Sequence, residues 1–440
     1  MIVADRIDAD RLWARHMRLA RHGATPDGGV NRQALSDEEF AAWREVIAWG
    51  READLGPFTD PAGNLFLRRE GTDAAAAPVL TGSHLDSQPS GGKFDGVYGV
   101  LAGIEAAQAI REAQIALRRP IEVVAWMNEE GSRFAPGMMG SAAFTGAAPL
   151  ERFLPVRDAQ GINVQQGLAA LHEAFPDLPS RALHRPVAAY VEAHIEQGPV
   201  LEREGYAIGV VTGIQGKRTF RVTVKGEEAH AGTAEQRERK DALLAAVRMI
   251  RALDDAMNEG GDDVKFTVGR LAVTPNAPSV VPGEAVFSID VRHLDPTRLT
   301  ALGDRVPALC AEHAGRCAVD VVELTNAMTL EFPASMRALI RRSAEDLGLA
   351  SLDLFSAAGH DARFLHAICP TGMIFIPCKD GISHNPLESA KPEDLAIGAP
   401  VLVHTLVALA SAESIGIAEV RVQQRWIASK VRRCAGAHDH

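Results

Sequence analysis

The sequence predicts an α/β protein with a mixed, mainly parallel sheet and helices on both faces, interrupted by an inserted α+β domain of two layers. Apolar runs over 78–83, 121–127 and 188–195 have the composition of buried strands, and a helix is expected over 98–114. This strand–helix–strand order favours parallel pairing with both faces covered. From residue 213 apolar and polar residues alternate, as in 219–225, which is typical of half-buried antiparallel strands.

The other elements follow in chain order. Two helices are expected in the first 55 residues, as a lid or a flank, and the second begins at a capping box formed by Ser36 and Glu39. Further along we expect helices over 241–257, 297–313 and 392–412 and strands over 266–273, 285–292, 318–324 and 372–377. The simplest arrangement is a main domain over 1–212 and 331–412, an inserted domain over 213–330, and a C-terminal tail over 413–440.

Composition restricts the class of partner. The 440 residues include 57 acidic and 46 basic side chains, a formal charge of −11, without a block rich in Lys and Arg. This argues against a nucleic acid or an anionic membrane as the main partner and favours small solutes. We find no apolar run of about 18 residues and no secretory signal, so we expect a cytoplasmic protein. The five cysteines form no Cys-x-x-Cys pair, which predicts neither a disulfide framework nor a thiolate zinc site.

Polar residues follow each of the predicted buried strands. His84 and Asp86 come after the first strand, Glu129 and Glu130 after the second, and His194 ends the third. The carboxyl ends of parallel strands meet at one edge of a sheet, where open α/β folds place their sites. Any one of these residues alone is more often a satisfied structural group, but together they predict a site.

The residue types point to metal chemistry. Asp86 is placed to hold the ring of His84 in the tautomer that binds a metal. Asp95, in a tight loop near His84, can bridge two cations. Adjacent Glu129 and Glu130 are costly to bury unless a cation lies beside them, and one can bind the metal while the other acts as a base. The alternative is an exposed acidic turn, which the preceding apolar strand disfavours.

Five segments resemble the di-metal amidohydrolases of the aminoacylase and carboxypeptidase superfamily, specifically the hydantoinase/carbamoylase branch. They are 81–88 (TGSHLDSQ), 92–101 (GKFDGVYGVL), 128–134 (NEEGSRF), 192–199 (EAHIEQGP) and 381–386 (GISHNP). The resemblance extends from about residue 5 to about residue 412. It includes N-carbamoyl-L-amino acid hydrolases, β-ureidopropionases and allantoate amidohydrolases.

The resemblance implies a site for two divalent ions per subunit. His84, Asp95 and His194 would hold one ion, and Asp95, Glu130 and His384 the other, with Asp95 as the bridge. Glu129 would be the general base and acid. Oxygen and imidazole ligands suit Zn, Mn, Co or Ni, so the identity of the metal stays open.

The resemblance also implies how the substrate is held. In such relatives the inserted domain mediates dimerisation, and His230 would reach the neighbouring subunit's site to stabilise the oxyanion. Asn276 and Arg292 would hold the substrate's α-carboxylate, a role that suits the planar guanidinium. Further substrate-side positions are Gln197, Gln215 and Gly359. The chain departs from the commoner family pattern at 234–236 and 356–359, which puts specificity in doubt and leaves the metal site untouched.

The expected reaction is hydrolysis of a non-peptide C–N bond in a linear amide. The first candidate substrate is an N-carbamoyl-L-amino acid, which would give the L-amino acid, CO2 and NH3. Allantoate and β-ureidopropionate are alternatives, although the segment 376–381 is more similar to carbamoylases and β-ureidopropionases. A dipeptidase or aminoacylase of the same superfamily is less favoured. A non-enzymatic binding protein is disfavoured because every ligand and Glu129 are present.

Overall fold

The computed structural model describes residues 3–258 and 263–415. The chain divides into two units, residues 1–212 with 332–440 and residues 213–331. Most of the tail expected over 413–440 lies outside the described residues, as does Cys434.

The described residues form helices and short strands throughout both units. The α-helices are α1 (Ala9–Leu19), α2 (Asp37–Glu52), α3 (Val97–Glu112), α4 (Met139–Thr145), α5 (Val164–Ala174), α6 (Val200–Glu204), α7 (Ala242–Asn258), α8 (Pro296–Glu312), α9 (Ala334–Glu345), α10 (Ala362–Leu365) and α11 (Pro392–Ser411). The strands are β1 (Gly56–Thr59), β2 (Leu65–Arg69), β3 (Val79–His84), β4 (Ile121–Trp126), β5 (Ala189–Ile195), β6 (Ile208–Ile214), β7 (Gly216–Lys225), β8 (Ala229–His230), β9 (Lys265–Thr267), β10 (Leu271–Thr274), β11 (Val280–Val281), β12 (Glu284–His293), β13 (Ala318–Ala327), β14 (Leu330–Glu331), β15 (Ser351–Ser356) and β16 (Thr371–Ile376).

The sheet of the first unit has a parallel centre and antiparallel edges. Its strand order is β1-β2-β4-β3-β5-β16-β6, and β15 also pairs with β6. Pairing is parallel from β4 through β3 and β5 to β16, and antiparallel at β1–β2, β2–β4 and β16–β6. Every residue of these four central strands is buried, so both faces are covered. The predicted mixed α/β fold is confirmed.

The two N-terminal helices are a flank of the core. Leu12 of α1 and Phe40 and Val46 of α2 are buried in the same hydrophobic cluster as the central strands. The capping box is formed in part, because Ser36 Oγ accepts from the N–H of Glu39. The Glu39 carboxylate turns to the N–H of Leu35.

Among the residues that the structure describes, one helix is long and apolar enough to cross a membrane by length and composition alone, contrary to the expectation from the sequence. It is α11, with a mean hydropathy of 1.6 over its most apolar window. More than half of that window is buried, and α11 packs against α3, α9 and β16. This is the behaviour of a core helix.

The second unit is a two-layer α+β fold. Its antiparallel sheet has the order β10-β12-β7-β13, and β9 also pairs with β12. Alternate residues of β7 and β12 are buried, among them Phe220, Val222 and Phe287, and α7 and α8 cover that face. The strand predicted over 266–273 is divided into β9 and β10, which pair with successive parts of β12.

Candidate metal centre

Polar side chains gather at the carboxyl ends of the parallel strands. His84 is the last residue of β3, His194 lies near the end of β5, and Glu129 and Glu130 follow β4. His384 lies in the loop after β16. Because β4, β3, β5 and β16 are neighbours in the sheet, the structure brings these residues to one edge.

Asp95 lies at the centre of this cluster and is buried. Its Oδ1 is 3.2 Å from Nε2 of His194 and 3.8 Å from Nε2 of His84. Its Oδ2 is 3.2 Å from Nε2 of His384. The two oxygens of one carboxylate therefore face different histidines, as a bridging ligand must.

Two groups of potential ligands share Asp95. The first contains His84, Asp95 and His194, and the second contains Asp95, Glu130 and His384. Glu130 Oε2 lies 3.4 Å from Nε2 of His384, and the ligand atoms of each group lie within 4.8 Å of one another. Imidazole nitrogens and carboxylate oxygens in these numbers fit Zn, Mn, Co or Ni.

Main-chain carbonyls orient two of the histidine rings. Nδ1 of His84 lies 2.9 Å from the carbonyl oxygen of Asp86, and Nδ1 of His194 lies 2.8 Å from that of Ile195. A carbonyl oxygen only accepts, so each Nδ1 carries a proton, and each Nε2 is the nitrogen left to face Asp95 or a metal ion.

Asp86 acts on a different group from the one we expected. Its carboxylate Oδ1 is 3.6 Å from Nδ1 of His84, farther than its own main-chain oxygen. The two carboxylate oxygens instead accept from the N–H groups of Glu129 and Glu130, each at 3.2 Å. The Asp86 side chain therefore fixes the loop that carries both glutamates, while its main chain fixes the His84 ring.

A glycine lets the Asp95 loop pass the His84 ring. Gly96 has a φ of 67°. A Cβ at this position would lie 2.4 Å from Nε2 of His84. Any other residue would displace the ring, so this glycine belongs to the architecture of the site.

Glu129 and Glu130 point to different neighbours. Oε2 of Glu129 lies 3.6 Å from Nε2 of His84. Glu130 accepts from Gln88 and lies beside His384. The turn begins at Asn128, whose φ is 55°. One glutamate can thus serve as a ligand while the other remains available as a base.

Burial strongly perturbs the carboxylates of the cluster. It raises the pKa of Glu130 to about 8 and that of Asp86 to about 7, with help at Glu130 from the charge of Asp95. Burial and the charges of Asp361 and Glu130 also raise the pKa of Glu129 well above its usual range. Several buried carboxylates stay ionised together only if cations lie beside them, and bound divalent ions would supply that positive charge.

Histidines provide part of that positive charge. Hydrogen bonding to Asp95 raises the pKa of His384 to about 9. The same carboxylate raises the pKa of His194 to about 9 against the effect of burial. In turn, the pKa of Asp95 falls well below its usual range, although burial alone would raise it. Protonated histidines thus supply, next to Asp95, positive charge of the kind that a divalent ion would supply.

Four residues near the cluster were missed by the sequence analysis. Glu388 accepts from the N–H groups of Phe94 and Asp95, and Ser383 donates to the Glu388 carboxylate. The remaining two are His360 and Asp361. The motif around His384 and the sequence Gly-His-Asp after Ala358 were the available signals.

His360 and Asp361 form a second layer behind the cluster. The His360 ring packs edge-on to His194 at 4.6 Å, and its Nε2 lies 2.8 Å from Ser356 Oγ. His360 also forms a third potential ligand group with Glu192 and His194. Asp361 accepts from Ser141, and its Oδ2 is buried without a partner.

Two predicted substrate residues lie in the first unit. Gln197 donates from Nε2 to Oδ2 of Asp95 at 2.9 Å and to Ser383 Oγ at 3.1 Å, while its Oε1 is buried without a partner. Gly359 is half-buried, and an added Cβ would lie 3.2 Å from Cε of Met138. Glu196, which directly follows the third predicted strand, accepts from the first N–H groups of α6 and so caps that helix.

The other four predicted substrate residues lie in the second unit. His230 is exposed, and its Nδ1 accepts from the N–H groups of Gly232 and Thr233. Arg292 binds Asp290 through Nε and Nη2, each at 3.0 Å. The remaining two are Asn276, exposed with a φ of 59°, and Gln215, which is buried.

Comparison with known proteins gives consistent results. The model of peptidase family M20/M25/M40 matches residues 80–408. An N-carbamoyl-L-amino-acid amidohydrolase of Rhizobium meliloti is 39% identical over 91% of this chain and 96% of its own length. A Geobacillus stearothermophilus protein of the same name is 41% identical over 92% and 100%. An allantoate amidohydrolase of Bacillus subtilis is 35% identical over 89% and 95%.

Solved structures agree with these matches. A hydantoinase/carbamoylase family amidase from Burkholderia vietnamiensis superposes with a TM-score of 0.87 and is 41% identical. The match covers 92% of this chain and 98% of the amidase. The family model, the relatives and the metal-ligand geometry agree. The chain therefore belongs to peptidase family M20/M25/M40, in its hydantoinase/carbamoylase branch.

Proposed function

We propose that the protein is a metal-dependent amidohydrolase that hydrolyses the linear amide of an N-carbamoyl-L-amino acid, releasing the L-amino acid, CO2 and NH3. The observation that carries the proposal is the pair of ligand groups that share Asp95, with the separate carboxylate of Glu129 3.6 Å from His84. The names of the relatives from Rhizobium meliloti and Geobacillus stearothermophilus support the choice of substrate.

The proposed ligands are those in the two groups. His84, Asp95 and His194 would hold one ion of Zn, Mn, Co or Ni, and Asp95, Glu130 and His384 would hold the second. When bound, two such ions activate a water molecule and polarise the scissile carbonyl. The chain supplies the ring orientation, the bridging carboxylate and a buried environment in which charges act strongly.

Glu129 is the proposed general base and acid. It takes a proton from the attacking water and passes it to the leaving nitrogen as the C–N bond breaks. Burial raises the pKa of this carboxyl well above its usual range, whereas cations bound beside it would lower that pKa. Asp86 positions Glu129 by accepting its main-chain N–H.

His230 is the proposed oxyanion donor, reaching the site of a neighbouring subunit in a homodimer. Its Nδ1 accepts two N–H groups, so the neutral ring carries its proton on Nε2 and presents a donor. Exposed apolar residues of α7, Leu244 and Val247, lie one turn apart and support a protein-binding surface on the same unit.

Arg292 and Asn276 are the proposed anchors of the substrate's carboxylate. Asp290 binds the Arg292 guanidinium through Nε and Nη2, which fixes the plane of the guanidinium. Gln197, Gln215 and Gly359 are proposed to complete the substrate side. We infer a cytoplasmic location from the sequence.

The proposal is tested by measuring ammonia release from protein reconstituted with Mn, Co, Ni or Zn. The substrates are N-carbamoyl-L- and N-carbamoyl-D-amino acids, β-ureidopropionate and allantoate, with amino-acid release from dipeptides followed in parallel. We expect the N-carbamoyl-L-amino acids to be turned over fastest. Preference for allantoate, the substrate named for the Bacillus subtilis relative, would keep the mechanism and change the substrate. Activity on dipeptides alone would overturn the proposal.

A further inference from the structure

Glu388 connects two loops of the candidate metal centre. The residue is 3% exposed, and its Oε1 accepts from the N–H groups of Phe94 and Asp95 at 2.9 and 3.1 Å. Its Oε2 lies 2.9 Å from Ser383 Oγ. A Cβ at Gly92 would lie 2.0 Å from Cδ of Glu388, so the carboxylate is closely confined.

The Ser383 hydroxyl lies among three polar groups. Gln197 Nε2, at 3.1 Å, only donates, so Ser383 accepts there. The other two neighbours are Oε2 of Glu388 at 2.9 Å and Oδ2 of Asp95 at 3.2 Å. A hydroxyl has one proton, so it can donate to one of these carboxylates at a time. The shorter distance and the confined Glu388 favour donation to Glu388.

Asp95 is affected by which carboxylate accepts the Ser383 hydroxyl proton. Oδ2 is the oxygen that faces His384, and it already accepts from Gln197 at 2.9 Å. When Ser383 donates to Glu388, Oδ2 keeps a lone pair for a cation in the group with His384. When Ser383 donates to Asp95, that lone pair is occupied by the hydroxyl proton.

We propose that Glu388 is a positioning residue that draws the Ser383 proton away from Asp95 and so keeps Oδ2 of Asp95 as a ligand of the second ion. This inference rests on the proposed metal-dependent function. Glu388 acts through Ser383 and Asp95, and it is placed neither on the substrate nor on an ion. Binding of the first ion would depend on Glu388 much less, because Oδ1 is the Asp95 oxygen that faces His84 and His194.

The substitution Glu388→Gln reverses the direction of the hydrogen bond with Ser383 and keeps the size of the side chain. The amide oxygen can still accept from Phe94 and Asp95, but the amide nitrogen donates to Ser383, which must then donate to Asp95. We expect the dissociation constant of the second ion to rise about 10- to 100-fold, the usual effect of losing a residue that supports a ligand. The dissociation constant of the first ion should stay close to its value in the wild type.

The test is titration of the metal-free full-length protein with Co²⁺ at pH 8, followed by the Co²⁺ absorption spectrum and by metal content. Ser383→Ala removes the competing proton, so this variant should bind the second ion nearly as the wild type does. Glu388→Gln should then have little further effect in the Ser383→Ala background. Glu105→Gln, which alters a buried carboxylate bound to Arg11 far along α3, controls for general destabilisation.

The outcomes separate this inference from the proposed function. If Glu388→Gln binds the second ion with wild-type affinity, the inference is overturned but the proposed function is not. The same holds if Glu388→Gln weakens binding of the second ion equally in the wild-type and Ser383→Ala backgrounds. If Glu388→Gln fails to fold, a large loss of the second ion in Ser383→Ala would still overturn it. A wild-type protein that binds one ion would overturn the inference and the two-ion site together.

Discussion

The carboxylates of Glu129 and Glu130, adjacent in sequence, turn toward different histidines. Oε2 of Glu129 lies 3.6 Å from Nε2 of His84, and Oε2 of Glu130 lies 3.4 Å from Nε2 of His384. The N–H groups of both residues bind the carboxylate of Asp86, which holds the divergent loop. This arrangement allows one glutamate to bind a cation while the other moves protons.

Glu129→Gln tests that division of roles. The amide keeps the shape of the side chain but cannot accept a proton, so we expect kcat to fall about 10²- to 10⁴-fold while the protein still binds two ions. Steady-state ammonia release and metal content on the same preparation measure both quantities. Turnover near that of the wild type would remove Glu129 from the role of base.

Asp86→Asn tests what the Asp86 side chain positions. The main-chain oxygen that orients His84 is unchanged, whereas one carboxylate oxygen facing the Glu129–Glu130 turn becomes a donor. We expect kcat to fall about 10- to 100-fold with retention of the ion held by His84. A selective loss of that ion, measured by metal titration, would show instead that the carboxylate holds the ring.

The metal-free protein should lose stability as the pH rises from 6.5 to 9. His194 and His384 have ordinary pKa values of 6.5, raised to about 9 in the fold. Their contribution to stability is complete below pH 6.5 and is lost as the pH rises through 9. Glu130, with its pKa raised to about 8, acts in the same direction because the folded chain keeps a proton that the unfolded chain has lost.

The measurement is the thermal midpoint in chelator and in saturating Mn²⁺ across this pH range. We expect the midpoint in chelator to fall with pH, and Mn²⁺ to flatten the curve because the ions replace the bound protons. A midpoint in chelator that is constant or rises over this range would contradict the account.

His230→Ala tests donation across subunits. We expect kcat to fall about 10²- to 10³-fold, as for loss of one oxyanion donor, with metal binding unchanged. Each variant alone should have little activity, whereas a mixed dimer would have one site with both native residues. Activity should therefore return when the two variants are unfolded together and refolded as a mixture. Absence of recovery, with mixed dimers shown to form, would place His230 outside the partner's site.

The central strands could be predicted from sequence, whereas the sheet edges could not. β3, β4 and β5 are nearly continuous apolar runs because both of their faces are buried. β1, β2, β6 and β15 were missed. Of these, β1 and β2 have only four and five residues, which leave a weak periodic signal.

The candidate site shows a similar division. The residues that follow buried strands were found because the carboxyl ends of those strands meet at one edge. Glu388 and Asp361 were missed because their roles depend on contacts between distant segments. Glu388 binds the N–H of Phe94, 294 residues away in sequence, and Asp361 binds Ser141, 220 residues away. Short motifs mark the segments that hold Ser383 and Asp361, but no local pattern reports contacts between distant segments.

We expect catalysis to require two ions that share Asp95. The decisive measurement is titration of metal-free protein with Mn²⁺ while bound equivalents and ammonia release from an N-carbamoyl-L-amino acid are recorded in the same samples. Turnover should appear as the second equivalent binds. Full turnover with no bound ion, or with one, would contradict this expectation.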